Sequence, residues 1–139
     1  MTVGESIISW LYTFGNIEVS AIIETDQLDS EAGSYALYKE PTKTVTPYLD
    51  GSMDVTERYY FLVRQNSKLN ASRVENQAWL ESLERWVTTQ NRARNLPVLD
   101  DERDCWGVGV AVSAYMAEAE TDTAAYQMSV EIYYIEKRR

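Results

Sequence analysis

Residues 124–139, AAYQMSVEIYYIEKRR, alternate apolar and polar side chains with few interruptions. The apolar side of this alternation consists of Tyr126, Met128, Val130, Ile132 and Tyr134. Because successive side chains of a strand point to opposite faces of a sheet, the pattern predicts a long strand with one buried face. We expect this last strand to lie at the edge of its sheet, where unpaired backbone groups invite a second chain. The cationic end formed by Lys137, Arg138 and Arg139 would then protect that edge or pair with acidic residues of a neighbouring subunit.

The preceding stretch, residues 106–119, predicts the strand that pairs with it through a turn at residues 120–123. Its larger apolar residues fall at every second position, namely Val108, Val110, Val112, Ala114 and Met116. The other positions hold Gly107, Gly109, Ala111 and Ser113, and such small residues allow another group to pack close to the backbone. The charged segment before it, residues 98–105, is interpreted as a loop.

Two amphipathic helices are predicted. The first has capping-box spacing at Thr2 and Glu5 and ends at Gly15 and Asn16. The second spans residues 70–94, with the same spacing at Ser72 and Glu75. Their apolar stripes are Val3, Ile7, Trp10, Leu11 and Phe14 in the first helix, and Trp79, Leu80, Leu83, Trp86 and Val87 in the second.

The region between the helices predicts two further strands joined by a long hairpin. The first strand, residues 35–41, is expected to stop at Pro41, and residues 16–34 are interpreted as a packed connector. Asp50 and Gly51 form a strong turn signal, followed by a return strand at residues 55–65. Residues 41–56 therefore predict a protruding arm, which needs a partner because an isolated hairpin is marginally stable in water.

The predicted order of elements is α-β-β-α-β-β in one domain covering residues 1–139. Hairpin-spaced strands predict a mostly antiparallel four-stranded sheet, with both helices on one face. This is an α+β two-layer sandwich. Its other face carries Tyr115, Tyr133 and Ile135 and is expected to remain partly uncovered.

Composition excludes several classes of protein. The net charge is −9 and the cations are scattered, which disfavours a site that grips nucleic acid or an anionic membrane. A single cysteine, Cys105, excludes an internal disulfide and fits a reducing compartment. The first residues lack the pattern of a secretory signal, and no apolar run is long enough to cross a membrane. We expect a protein that is made in the cytoplasm.

Residues able to carry catalysis are scarce, and we expect no enzyme and no cofactor. There is no histidine, so the commonest general base and zinc ligand are both missing. The acidic segment at residues 100–105 could hold Mg²⁺ or Ca²⁺, but it lacks the spacing of a calcium loop, and a solvated loop is favoured. Cys105 is interpreted as a small buried hydrophobe, and the two tryptophans of the second helix as core residues and not the lining of a ligand pocket.

A group of residues is typical of protein interfaces, which are enriched in aromatic residues and methionine. It comprises Tyr48, Asp50 and Met53 of the arm and Tyr115 and Tyr133 of the open face, with Lys137, Arg138 and Arg139 at the end of the last strand. The same tyrosines are also compatible with an ordinary exposed surface.

Four features follow one another along the chain: a first helix with a capped start, the arm and return strand TKTVTPYLDGSMDVTERYYFLVRQ (residues 42–65), the helix ENQAWLESLERWV (residues 75–87) and a closing pair of strands. Together they resemble the tail terminator proteins of long-tailed bacteriophages, and the resemblance spans nearly the whole chain. The resemblance implies a hexameric ring in the virion that caps the tail tube and joins it to the neck. DNA would pass through its acidic pore without specific binding, and no catalytic residue carries across. The alternatives are another head–tail connector or minor capsid protein, a small ligand-binding or metal-binding domain, and a monomeric accessory protein directed at the host.

Overall fold

The computed structural model describes residues 2–15, 17, 23–28 and 32–138. Along these residues, one helix followed by three strands, and a second helix followed by two strands, form an α+β arrangement. The elements are α1 (Val3–Leu11) with a 3-10 turn (Tyr12–Phe14), β1 (Ile23–Thr25), β2 (Ser34–Pro47), β3 (Met53–Asn66), α2 (Asn70–Ala93), β4 (Arg103–Ala119) and β5 (Thr123–Glu136). The predicted fold class is therefore confirmed.

The sheet of the described residues differs from the predicted one in its number of strands and in their directions. It has five strands in the order β1-β2-β3-β5-β4. The additional strand, β1, pairs in parallel with β2 through Ile23 and Tyr35, so the sheet is mixed and not wholly antiparallel. This strand lies within the segment predicted as a connector, where the alternation of Ile17, Val19, Ala21 and Ile23 in the sequence indicates a short strand but Ile22 interrupts it.

The last strand, β5, lies inside the sheet. It pairs with β3 along its whole length, from Met53 opposite Glu136 to Asn66 opposite Thr123, and with β4 on its other side. The prediction of an exposed edge at β5 is therefore wrong. The β4–β5 hairpin docks with its second strand against β3, which places the most regularly alternating strand where both its neighbours can shield it.

The capping box predicted for helix α1 is present, and the one predicted at Ser72 and Glu75 of helix α2 is not. The Thr2 hydroxyl accepts a hydrogen bond from the Glu5 N–H at 3.1 Å, and the Glu5 carboxylate accepts one from the Thr2 N–H at 3.4 Å. Helix α2 begins two residues before Ser72, at Asn70, and the residue before it supplies no side-chain cap. Its entry is held instead by Arg73, which donates a hydrogen bond to the Ser67 carbonyl at 2.6 Å.

Both helices pack on one face of the sheet, as predicted. The rings of Trp10 and Trp86 lie 4.6 Å apart and join α1 to α2, while Leu83 and Val87 are fully buried against the strands. The Trp10 indole N–H also donates to the Asn95 carbonyl at 2.7 Å, just beyond the end of α2. The tryptophans therefore belong to the core, where their large apolar area contributes most to stability.

Strand β2 continues through Pro41, which was expected to end it. The register with β3 shifts between Lys39 and Lys43, so the proline sits in a bulge, a position that does not require a ladder hydrogen bond. Beyond the shift, β2 pairs with β3 up to a turn closed by a hydrogen bond from the Gly51 N–H to the Tyr48 carbonyl. Residues 53–56 of β3 also pair with residues 133–136 of β5, so the segment predicted as an arm is backed by the body of the sheet.

Four register shifts interrupt the pairing of β4 with β5. After one shift, Val112 pairs with Ser129 and faces away from the helices. After a later shift, Met116 pairs with Tyr126 and faces the helices again. The predicted continuous apolar face from Val108 to Met116 is therefore broken, and both Val112 and Met116 are exposed. Bulges of this kind are frequent at sheet edges, because they disrupt the flat template that a second strand would need.

Candidate functional site

The candidate site lies on the side of the sheet opposite α1 and α2, which we call the open face. Its central residues come from even positions of β3 and odd positions of β5, which pair side by side. They include Thr56, Arg58, Tyr60, Leu62, Glu131, Tyr133 and Ile135, all partly exposed. Exposed residues of β4 extend it toward the sheet edge.

The outer edge of β4 is covered by polar side chains of α2. The Asn91 side-chain oxygen accepts a hydrogen bond from the Val108 N–H at 3.1 Å, and the Glu84 carboxylate accepts one from the Ala114 N–H at 2.5 Å. Arg94 donates to the Trp106 carbonyl at 2.9 Å. Addition of a strand along this part of the edge would break these bonds.

The outer edge of β2 is also poorly suited to pairing. Pro41 and Pro47 have no backbone N–H to donate, and β1 occupies the edge opposite Tyr35 to Leu37. A partner that uses the sheet therefore contacts its open face more readily than its edges.

An aromatic pair dominates the end of the open face nearest the β2–β3 turn. The ring of Trp106 stacks on that of Tyr133 with centroids 5.1 Å apart, and 46% of Trp106 remains exposed. The Trp106 N–H donates to Asp54 at 3.0 Å, across the intervening strand β5. Gly107 makes room for this arrangement, since a Cβ atom there would lie 3.1 Å from the Tyr133 ring. The small residues noted in the sequence thus accommodate a side chain of the same protein.

A chain of charged and polar groups continues from this pair toward β2. The Tyr133 hydroxyl donates to Glu131 at 2.7 Å, Arg58 donates to the same carboxylate at 2.8 Å, and the Arg58 guanidinium lies 3.6 Å from Glu40. The bonds from Arg58 and Tyr133 hold the pKa of Glu131 below its usual range. Partial burial and the bond to Glu131 raise the pKa of Tyr133 to about 12. At neutral pH the phenol is a donor and the carboxylate is ionised, so this network keeps one arrangement.

The structure brings only some of the predicted interface residues together. Tyr133 and Tyr115 both lie on the open face, where Tyr115 is 49% exposed. The Tyr48 hydroxyl donates to Asp54 at 3.3 Å, so it is linked to the aromatic pair through the carboxylate that also accepts from Trp106. Met53 packs against the core on the opposite face. Asp50 is engaged within its turn, where it accepts hydrogen bonds from the backbone and hydroxyl of Ser52 that lower its pKa.

The cationic end of the chain is bound to the same molecule. The Lys137 ammonium lies 3.1 Å from the Asp104 carboxylate, and the Lys137 N–H donates to the Glu102 carbonyl at 2.7 Å. Arg138 packs over Gly51 and reaches the Asp50 carbonyl at 3.5 Å. Since β5 is not an edge, these residues do not protect one, and Arg139 lies outside the described residues.

The acidic segment and the cysteine lie just before β4 and in its first residues. Arg103 forms a salt bridge with Asp100 at 2.7 Å and already belongs to β4, so the predicted loop is shorter than expected. Among the described residues there is no group of three or more Asp, Glu or Cys side chains that could hold a metal ion. Cys105 packs against the core, and burial raises the pKa of its thiol. A thiol of raised pKa is a poor nucleophile.

Four important residues of this surface, Asp54, Arg58, Trp106 and Glu131, were not identified from the sequence. Hydrogen bonds join them in pairs that are 52 and 73 residues apart in the chain, and only the register of the strands brings these partners together. An Asp, an Arg and a Glu at alternating strand positions are the only local signal, and that signal is shared by most exposed strands.

Two comparisons of the sequence with known proteins found no match for this chain. No protein-family model matches it, and no curated protein matches its sequence. Neither helix in the described part of the chain combines the length and the apolar character needed to span a membrane.

Proposed function

We propose that this chain is a structural subunit that assembles through the open face, and that its place is the tail terminator of a long-tailed bacteriophage. In this role it forms a hexameric ring in the virion, caps the tail tube and contacts the neck. The observation that supports assembly most is the half-exposed Trp106, which is stacked on Tyr133 and hydrogen-bonded to Asp54, on the open face of a sheet whose edges are largely protected.

This surface has the composition of an energetically productive interface. Tryptophan, tyrosine and arginine dominate the residues that contribute most to protein–protein binding. Here Arg58 and Tyr133 are already held by Glu131, and Trp106 by Asp54. Because these side chains are ordered before a partner arrives, association costs less conformational entropy.

Two features support the phage assignment: the resemblance, which spans nearly the whole chain, and the charge of the chain. A net charge of −9 suits a ring through which DNA moves without binding, because an acidic wall repels phosphate. The partners in this proposal are further copies of the chain, the tail tube protein and the neck proteins. The closest alternative is another head–tail connector or minor capsid protein using the same surface.

The mass of the purified protein in solution tests the proposal. Light scattering and negative-stain microscopy should find rings with six times the 16.0 kDa of one chain, either alone or after mixing with tail-tube subunits from the same virion. Tyr115→Arg should abolish the rings, whereas Val98→Arg, on an exposed loop away from the open face, should preserve them. Both variants should retain the melting temperature of the parent.

Three results would separate the alternatives. Rings of another subunit number, with no affinity for tail tube protein, would favour a different head–tail connector. Rings that survive Tyr115→Arg would move the interface away from the open face. A protein that stays monomeric at all concentrations and does not bind tail tube protein would refute the assembly proposal.

A further inference from the structure

A cleft of about 470 Å³ opens on the other side of the sheet, between α1 and strands β2, β3 and β5. This volume lies within the range of about 300–1,000 Å³ found for small-molecule sites. Its apolar wall consists of Val3, Ile8, Leu37, Tyr59 and Tyr134. The first half of α1 forms one side of the cleft. Among the described residues, no other helix contributes to this wall.

A buried carboxylate, Glu57, forms part of the cleft wall. Only 3% of this residue is exposed. One of its oxygens accepts a hydrogen bond from the Tyr134 hydroxyl at 2.5 Å. The other oxygen lies 3.0 Å from the Lys39 ammonium, but among the described residues it accepts no hydrogen bond of normal geometry. Charge attraction alone therefore holds that oxygen.

Lys39 is a loosely held partner for so deeply buried a charge. Its side chain is 54% exposed, so it can withdraw into solvent without leaving a cavity in the core. A buried carboxylate is costly unless it is paired and hydrogen-bonded. Glu57 thus retains the capacity to bind a better-placed cation.

We propose that this cleft binds a primary ammonium group carried on an aliphatic stem, with Glu57 as its counter-ion. The Lys39 ammonium shows which chemical group this carboxylate oxygen accepts. An incoming ammonium displaces it, gains hydrogen bonds to Glu57, and places its stem against the apolar wall. The rings of Tyr59 and Tyr134 line the same space and add a favourable interaction with a cation.

The charges around the cleft favour a cation over an anion. Arg103 already forms a salt bridge with Asp100. The other cations of the lining are the ammonium groups of Lys39 and Lys43. The lining also carries carboxylates, which include Glu57 at the wall and Asp26 and Glu136 nearby. An anion entering the cleft would face the buried carboxylate directly. The cleft lies on the opposite side of the sheet from the surface proposed for assembly, so the two sites are independent.

Titration of the full-length protein with n-butylammonium, followed by NMR of the Gly4 amide and the tyrosine rings, tests the site. We expect saturable shifts that Glu57→Gln weakens by about tenfold or more, because a hydrogen bond to a charged group contributes at least the ~1.4 kcal/mol that tenfold requires. Lys39→Met should strengthen binding, because it removes the competing ammonium. Lys68→Met, an exposed lysine outside the cleft, should change nothing.

A second titration with N-acetyl-lysine methylamide identifies the source of the ammonium group. Binding of the lysine derivative as tightly as butylammonium would indicate a lysine side chain of a polypeptide, and binding of butylammonium alone would indicate a small amine. The absence of saturable shifts with both probes would overturn the proposal. So would equal binding by the parent and Glu57→Gln, provided that circular dichroism shows the variant folded.

Discussion

The indole N–H of Trp106 donates a hydrogen bond to the carboxylate of Asp54, 3.0 Å away and 52 residues earlier in the chain. The two residues lie on β4 and β3, and the bond passes over Tyr133 of the strand between them. Three strands are thereby linked on the open face by side chains as well as by their backbones. This link orders the surface that we propose for assembly.

The link should be measurable as a coupling between two substitutions. Trp106→Phe retains the stacking on Tyr133 and loses the N–H, while Asp54→Ala loses the acceptor. Each should lower the free energy of unfolding by about 0.5–1.5 kcal/mol, and the double variant should cost less than their sum. Urea denaturation provides the measurement. Tyr48→Phe, which removes only the longer bond to Asp54, serves as the control. Strict additivity would show that the two residues do not interact in solution.

The core beneath α2 should be far more sensitive than the turn. Leu83 is completely buried, and its replacement by alanine should cost about 2–5 kcal/mol through lost burial and an unfilled cavity. Leu49 is fully exposed in the β2–β3 turn, and Leu49→Ala should change stability by less than about 0.5 kcal/mol. Thermal or urea unfolding of both variants gives the comparison. Similar losses at the two sites would contradict the packing of α2 described above.

The two capping-box sequences should respond differently to the same substitution. Thr2→Ala removes the acceptor for the Glu5 N–H and should cost about 1 kcal/mol. Ser72→Ala should cost only a few tenths of a kcal/mol, because Ser72 lies inside α2 and not at its start. Urea unfolding distinguishes the two. A large loss at Ser72 would indicate that α2 begins there after all.

Acid should weaken the open-face network through Glu131. Its pKa is lower in the folded than in the unfolded protein, so its contribution is complete above the ordinary glutamate pKa of 4.5 and is lost as the pH falls through the lower folded value. Glu131→Gln should therefore flatten the decline of stability below about pH 4.5. Urea midpoints measured from pH 7 down to pH 3 provide the test. A variant whose profile runs parallel to that of the parent would show that Glu131 is not linked to Arg58 in solution. Arg58→Met should flatten the same region.

Protection of the β4 edge should depend on α2. Asn91→Leu leaves the Val108 N–H without its acceptor and should cost about 1–3 kcal/mol. It should also increase association at high concentration, because a freed edge strand invites pairing. Unfolding and light scattering measure the two effects. Gln90→Leu, at the neighbouring position of the same helix, is the matched control. An unchanged midpoint would argue that the bond contributes nothing to the edge.

The sequence by itself was sufficient for features whose causes lie within a few residues. The capping box at Thr2 and Glu5, the turn at Asp50 and Gly51, the apolar stripe of α2 and the two-sided pattern of β5 were all predicted correctly. In each case local hydrogen bonds or the period of the apolar residues determine the outcome. These features imply the α+β class, because two striped helices require a sheet face to cover.

Only the tertiary structure decided how those elements are placed. The position of β5 inside the sheet, the bulges of β4, the short strand β1 and the bond from Trp106 to Asp54 all depend on contacts between residues far apart in the chain. The same is true of Glu57, which an alternating pattern marks as a core position and which becomes a charged wall only because Lys39 and Tyr134 meet it there. Local periodicity specifies which side of a strand is buried, whereas the strand's neighbours are set by competition among all possible pairings of the whole chain.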